Sequence, residues 1–564
     1  MSVSKSVNKT ISFWKIIALL FLSAGVVCRL VALGNIPGVN GDEAWLGWKA
    51  FEVAHGGGLD WRTNSGNITD PFYLLPLIAL HHVFTPSVIL LRSVAVISGL
   101  IALPLNYFFC RKIFGHPTAV TSTLLLALLP VCIVYSRFGW EPSQSILFSL
   151  PVLYLAFAIC GAQGWDKAIG LFVGGCVAEG MALLVHPANF YLIGFLLAGL
   201  ISWFVKPEIS LKRLFAFTTL LFCGFAVMGI AAFCGAPPGV HDEIVIRLAN
   251  YEWLHDGEFF LLTCLRIFNG INAVSYVSGS WPQTRQYLQE KGMMNVTWPD
   301  LTTLLIFLMA GIILVRSWLR LFSGKQDVLV RRELVLVGSF LFAFLLFDLF
   351  SGPEKIAVWN ERYGLWAVSG GILILSAGWT RLLEMQTNYQ ALLKTVGGMI
   401  CGMLLLMTVC SYFEFMIKTG GESESGFRVG YPECHEAAAV QIAEVLRNAR
   451  KNGGTFRPVL VSSDWFVYWP IVYLLSSRSD TKQWETYREP LFPEYRLDSA
   501  WRGLEEVREG RTVFAEVPES PAWKVWEQVV RTSKTLYRTK EIIDLRGRPT
   551  LRIMIPEKWF GDSV

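Results

Sequence analysis

The stretch IIALLFLSAGVVCRLVALGNIPGVNGDEA, residues 16–44, decides how the rest of the chain is read. Residues 16–34 form an apolar run long enough to cross a bilayer, which takes about 17–25 residues of helix. Lys5, Lys9 and Lys15 precede it. The run is longer than a signal-peptide core of about 7–15 residues and has no convincing small-x-small cleavage site, so it reads as a retained membrane helix. It delivers the chain to Asn40-Gly41-Asp42-Glu43-Ala44. Two adjacent carboxylates there are poorly placed for burial and well placed for chemistry at a membrane surface.

Composition agrees with a membrane setting. Of 564 residues, 53% are hydrophobic and 16% charged, and the mean hydropathy is +0.45. Soluble chains carry about 25% charged residues. The net charge of +5 is small for this length, and the Lys/Arg clusters fall beside apolar segments. They read as topology signals, with no surface for nucleic acid. The eleven cysteines lie almost wholly in or beside apolar segments. Neither a disulfide framework nor a metal-ligand spacing results, and a divalent metal is not indicated.

Apolar stretches recur near residues 16–34, 87–109, 118–135, 145–161, 168–185, 189–205, 214–234, 301–318, 334–350, 362–380 and 395–416. The expected fold is an α-helical polytopic membrane protein of about eleven transmembrane helices with a small C-terminal α/β extracytoplasmic domain. One set of connections carries Arg111-Lys112, Lys167, Lys206/Lys212/Arg213, Arg316/Arg320/Lys325/Arg331/Arg332 and Arg381/Lys394, along with the N-terminal lysines. The positive-inside rule makes this set cytoplasmic, which places the N-terminus inside and the C-terminus outside. Residues 1–420 then form the membrane-embedded domain, with outer loops 35–86 and 235–300, and residues 421–564 the outer domain. The first loop holds two amphipathic runs, 44–53 and 71–84, expected to lie along the interface. In the tail, 434–450, 469–475 and 522–531 read as helices. Residues 459–461 and 512–517 read as strands, and 542–545 with 551–555 as a hairpin.

Ionisable residues inside membrane helices are costly, so their places are informative. Arg29, Arg92, Glu179, Asp348, Arg362 and Glu414, with His186 at a helix end, all fall toward the outer end on this topology. Glu179 and His186 are seven positions apart and share a helix face. Glu179 lies about 9 Å below its helix end at 1.5 Å per residue, too deep to snorkel easily. Arg137 and Glu141 add charge in one outer connection, and Glu361, Arg362 and Tyr363 in another. The pattern describes one polar cavity opening at the outer leaflet beneath the Asp42-Glu43 stretch. Each arginine also has an alternative reading, a side chain that simply snorkels to the headgroups.

Gly-Asp-Glu-Ala after a first helix with an outer Arg, interfacial helices, and Leu91-Arg92-Ser93 opening a helix that ends Arg111-Lys112-Ile113-Phe114-Gly115 make an ordered set. Pro130…Tyr135-Ser136-Arg137 and Glu361-Arg362-Tyr363 complete it. Over about residues 10–415 it resembles the membrane-embedded glycosyltransferases of the dolichyl-phosphate-mannose protein mannosyltransferase type (GT-C type, glycosyltransferase family 39-like). Bacterial relatives of that type include the lipid A aminoarabinose transferase. The resemblance implies a polyprenyl-phosphate-linked sugar donor, presented at the outer face of a bacterial inner membrane. The sugar passes with inversion to an acceptor lipid, glycan or protein. It further implies that Asp42 is a catalytic base or acceptor-orienting group with Glu43 beside it. Arg137 and Arg362 match positions near the donor phosphate, and Arg92, Glu141, Glu179, His186, Glu361 and Tyr363 are the remaining candidates for substrate binding. In the aminoarabinose transferases a Lys-Pro dipeptide that contacts phosphate precedes the second interfacial helix. Asp70-Pro71 stands here instead, which argues against aminoarabinose transfer to lipid A. Two other classes remain open at this stage. One is a transporter or flippase, although its charges would be expected near the midplane. The other is a surface-glycan ligase using a polyprenyl diphosphate.

Overall fold

The computed structural model describes residues 2–63, 68–204, 308–317, 319–320, 328–351, 361–385, 389–414, 417, 432–451, 459–463, 465–476, 485–486, 510–518, 520–533, 535–543 and 549–560. The expected span 214–234 and outer loop 235–300 lie outside these residues.

Helix α1 (Ser2–Leu30) contains the first apolar run and ends at Leu30 rather than at 34. Helices α2 (Gly41–Ala54) and α3 (Pro71–His81) are the two short helices expected at the interface. Helix α4 (Val88–Phe114) opens on Ser87, whose hydroxyl accepts from the Leu90 amide at 3.2 Å. It closes after Arg111 and Lys112 at Gly115, a residue with φ +94°. That conformation favours glycine and stops the helix.

The expected helix 118–135 is broken. Helices α5 (His116–Leu128) and α6 (Pro130–Ser136) meet at an angle of 60°. Pro130 has no amide hydrogen, so the Leu126 carbonyl four residues earlier loses its helical donor. Extended backbone at Leu129 (ψ 127°) likewise leaves the Ala127 carbonyl without one. Arg29 supplies both, with Nη2 to Leu126 O at 2.8 Å and Nη1 to Ala127 O at 2.7 Å. The contact requires close approach at Gly25, where an added Cβ would lie 2.5 Å from the Ala127 carbonyl oxygen. Arg29 is therefore buried and structural, and it does not snorkel.

Helices α7 (Ser145–Cys160), α8 (Trp165–Val185) and α9 (Ile193–Phe204) follow, then α10 (Leu308–Ser317), α11 (Val328–Ser351), α12 (Leu365–Met385) and α13 (Gln390–Met407). The last continues as π-helix over Thr408–Glu414. Among the described residues six helices are long and apolar enough to cross a membrane, or seven if the bent pair is one span. On α8, Val173, Val177, Met181 and Leu184 are exposed at helical spacing, an apolar stripe that faces lipid in an integral membrane protein. Near the opposite end from Asp42, buried Glu333 on α11 accepts from Arg381 on α12 at 2.5 Å and from Ser317 on α10 at 3.0 Å.

The tail forms a small α/β unit. Strands β1 (Val459–Val461), β2 (Glu485–Thr486), β3 (Thr512–Glu516), β4 (Tyr537–Ile543) and β5 (Pro549–Pro556) make a sheet of order β2-β1-β3-β5-β4. β1 runs parallel to β2 and β3, and β5 antiparallel to β3 and β4. Helix α14 (Pro432–Lys451) buries Ala438, Ala439, Ile442, Ala443, Leu446 and Ala449, one face at helical spacing. Helix α15 (Trp465–Ser476) is apolar and leaves the sheet to lie on α2. Trp469 meets Trp48 with ring centroids 4.8 Å apart, and the Tyr473 hydroxyl donates to the Ser87 carbonyl at 3.1 Å. Helix α16 (Pro521–Ser533) packs Trp526 on Phe514 at 5.2 Å. The tail and the membrane-embedded part thereby share one continuous apolar core.

Candidate functional site

The site is built at the N-terminus of α2. Asn40 caps that helix: its side chain accepts from the Asp42 amide at 2.8 Å, while Glu43 Oε1 accepts from the Asn40 amide at 2.9 Å. This is a capping box, and it orients the two carboxylates differently. Neighbouring residues on a helix project about 100° apart. Glu43 consequently turns into the protein and Asp42 away from it.

Glu43 is fully buried and saturated. Its Oε1 is 2.6 Å from Arg92 Nη2, and its Oε2 accepts from Arg92 Nε at 3.2 Å and from the Gly139 amide at 2.8 Å. Arg92 spends its remaining donors on the carbonyls of Leu33, Pro37 and Gly38, at 2.6–2.9 Å. A guanidinium has five N–H donors, and all are used. Arg137 also bonds backbone, though not with every donor: Nη1 donates to Cys28 O at 2.8 Å and Nη2 to Ile36 O at 2.7 Å, closing the end of α1, while Nε has no partner among the described residues. It also lies 4.9 Å from the Phe413 ring centroid. These two buried arginines pin the connection between α1 and α2 so that Asp42 is held in one place. Gly139 fits beneath Glu43 because it has no side chain; an added Cβ would lie 2.9 Å from Glu43 Oε2.

Asp42 is half-buried. Its Oδ1 accepts from the indole Nε1 of Trp465, 3.0 Å away on the tail helix α15. Its Oδ2 has no hydrogen-bond partner among the described residues. Burial raises its pKa above the ordinary carboxylate value, and the nearby Glu43 charge adds to this. The Arg362 charge and the Trp465 hydrogen bond act in the opposite direction.

Arg362 stands in the 3-10 turn Glu361–Gly364, ahead of α12. Its guanidinium lies 4.6 Å from the Trp140 ring centroid and 4.9 Å from that of Tyr363, and its Nη2 donates to the Tyr363 hydroxyl at 3.2 Å. Such a face-on arrangement holds the cation by the ring quadrupoles. His186 is next, its ring 5.5 Å from that of Tyr363. The Ala188 amide donates to His186 Nδ1 at 3.2 Å, so in the neutral ring the proton sits on Nε2. Glu141 is half-buried; its Oε1 accepts from the Asp70 amide at 3.4 Å, and its charge acts on Asp42.

Five sequence-expected residues, Asp42, Glu141, His186, Arg362 and Tyr363, are thus brought together. Glu43, Arg92 and Arg137 lie beneath them and are bonded inward. Glu179 is fully buried on α8 facing the backbone of Ile193, and nothing among the described residues joins it to Arg362. The Glu361 side chain lies outside the described residues. Trp465 and Trp140 carry no site signal in the sequence, and the structure adds them; Asp70, which the sequence marks only as replacing a phosphate-contacting Lys, joins them through Glu141. Among the described residues no group of three or more His, Cys, Asp or Glu is placed to hold a metal ion.

Asp70 caps α3, with Oδ1 accepting from the Phe72 amide at 2.8 Å, and it is fully buried. Burial, and secondly the Glu141 charge, raise its pKa well above the usual value. The folded state therefore disfavours the Asp70 anion. Its penalty is absent below the unfolded carboxylate pKa and grows as pH rises toward the folded one. Asp70→Asn keeps a capping oxygen and removes the charge. We expect it to melt above the wild type at pH 7 and level with it near pH 4. Asp70→Ala, which loses the cap as well as the charge, should cost about 1 kcal/mol near pH 4, where the charge penalty is absent. Thermal melts of detergent-purified protein at the two pH values check both.

No family model matches the chain, and no curated protein matches it. Among solved structures, the crystal structure of ArnT from Cupriavidus metallidurans bound to undecaprenyl phosphate is 15% identical. That match covers 95% of this chain and 97% of that one, with a TM-score of 0.48. The archaeal oligosaccharyltransferase AglB from Archaeoglobus fulgidus, in complex with an inhibitory peptide and a dolichol-phosphate, is 12% identical. It covers 97% of this chain and 76% of that one, with a TM-score of 0.47. The functional reading therefore stands on the residues of the site.

Proposed function

We propose that the protein is an inverting glycosyltransferase, moving a sugar from a polyprenyl-phosphate carrier to a hydroxyl-bearing acceptor at the outer face of the membrane. The observation that carries the reading is the electrostatic proximity of Asp42 and Arg362. A carboxylate of raised pKa, with one oxygen unpartnered among the described residues, stands within electrostatic reach of a guanidinium held over two aromatic rings.

In this reading Asp42 Oδ2 takes the proton of the acceptor hydroxyl as its oxygen attacks the anomeric carbon. The bond from that carbon to the carrier's phosphate oxygen breaks, and the electron pair leaves with the phosphate. Arg362 meets the growing negative charge, since a planar guanidinium suits phosphate recognition. His186 and Tyr363 line the same side, and His186 can donate from Nε2 to a sugar or phosphate oxygen. Glu43, Arg92 and Arg137 act by fixing the α1–α2 connection. The orientation follows the positive-inside rule, N-terminus in the cytoplasm and sheet domain outside, and the bacterial inner membrane is what the family resemblance implies.

The test is transfer by purified protein from a panel of radiolabelled polyprenyl-phosphate sugars, with a membrane extract as the acceptor source. Consumption of one donor, dependent on both Asp42 and Arg362, is the expected result. Folded protein that consumes none of them, yet acts on a polyprenyl-diphosphate sugar or moves substrate across proteoliposomes, would overturn the reading.

A further inference from the structure

Among the described residues, the C-terminal sheet domain reaches the site through one polar contact. Trp465, the first residue of α15, donates its indole N–H to Asp42 Oδ1 at 3.0 Å. The contact is anchored on both sides. Behind it, Trp48 packs on Trp469, and the Tyr473 hydroxyl bonds the Ser87 backbone. At its centre stands Gly41, where an added Cβ would fall 2.2 Å from Trp465 Cδ1. The chain therefore has no side chain at a place where one would displace the indole. Tryptophan donates one hydrogen bond and accepts none, so it can satisfy one carboxylate oxygen without competing for the proton that Asp42 is to receive.

We infer that Trp465 is a positioning residue for glycosyl transfer: the tail domain sets the rotamer of Asp42 by occupying Oδ1 and leaves Oδ2 for the acceptor hydroxyl. This rests on the reading of Asp42 as the base. It gives residues 421–564 a part in the reaction, beyond shielding the site. Charged groups facing Asp42 are Arg362 from the turn before α12, Glu141 from the turn before α7, and Glu43 from its own helix. The described part of α15 contributes the neutral indole.

The experiment compares wild type, Trp465→Phe, Asp42→Asn and the double variant, with Gly41→Ala as a second way of displacing the indole. Phenylalanine keeps an aromatic ring and removes the donor. A hydrogen bond to a charged group is worth about tenfold or more in an equilibrium. Trp465→Phe and Gly41→Ala should therefore each lower kcat about tenfold or more, with donor KM changed less than about twofold. The acid limb of the kcat–pH profile should move to higher pH, because the lost bond had favoured the anion. In the Asp42→Asn background Trp465→Phe should cause no further loss, since its effect passes through Asp42. Unchanged kcat and pH profile in Trp465→Phe, or an equal fold-loss in both backgrounds, would overturn the inference while leaving the transferase reading intact. A wild type that transfers no sugar removes both, and wild type alone reveals that outcome.

Discussion

Asp42→Asn lowers turnover by about a hundred- to ten-thousand-fold, the range spanned by loss of a positioned general base, while membrane expression and melting temperature stay near wild type. Asparagine is almost the same size and can still accept from Trp465, so the tail keeps its seat on α2. What it loses is the ability to take a proton. In wild type the base works only as the anion, and burial raises the pKa of Asp42. The rate should thus fall as pH drops through a value above the ordinary carboxylate range, and the residual rate of Asp42→Asn should lack that limb. Steady-state kinetics against pH decide the matter. Near-wild-type turnover in the variant would take Asp42 out of the mechanism.

The second large effect belongs to stability. Glu43→Ala leaves Arg92 as a buried cation with no counter-charge, and Arg92→Ala leaves Glu43 as a buried anion. Breaking a buried pair from one side costs about 3–5 kcal/mol. Each single variant should therefore melt far below wild type or aggregate on size-exclusion chromatography. Replacing both with methionine should recover part of the loss, because no lone charge then remains. Equal instability of the double and the worse single variant would mean that the carbonyls of Leu33, Pro37 and Gly38, rather than the charge, set the need for Arg92.

Much of the helical layout was legible because apolar length is a strong local signal. The runs at 87–109, 145–161 and 168–185 appear as α4, α7 and α8. In the tail, 434–450 and 522–531 appear as α14 and α16, each a turn or less longer. The break at Pro130 also had a local signal, since proline inside a helix removes one bond. Its 60° consequence depends on Arg29 being there to take the carbonyls, and that is tertiary. The pair Asp42-Glu43 reads as one unit in sequence, yet a capping box separates the two side chains. Asn40 and Glu43, three residues apart, carried that signal. Outer-end arginines looked alike from composition. Only folding shows that Arg92 and Arg137 bond backbone while Arg362 lies over rings. Trp465 lies 423 positions from Asp42, and the one hint of it in the first loop is the bare Gly41.

The bond from Arg29 to the bend at Pro130 has a consequence for biogenesis. The guanidinium sits in the first helix, and its partner carbonyls are 97 and 98 positions later. At about 5–20 residues per second of synthesis, α1 waits roughly 5–20 seconds in the insertion machinery before those acceptors exist. Throughout that interval an arginine near its end must be solvated by headgroups or translocon. The first helix thus reaches its final packing only when the third apolar segment arrives, so the early helices of this protein settle as a set.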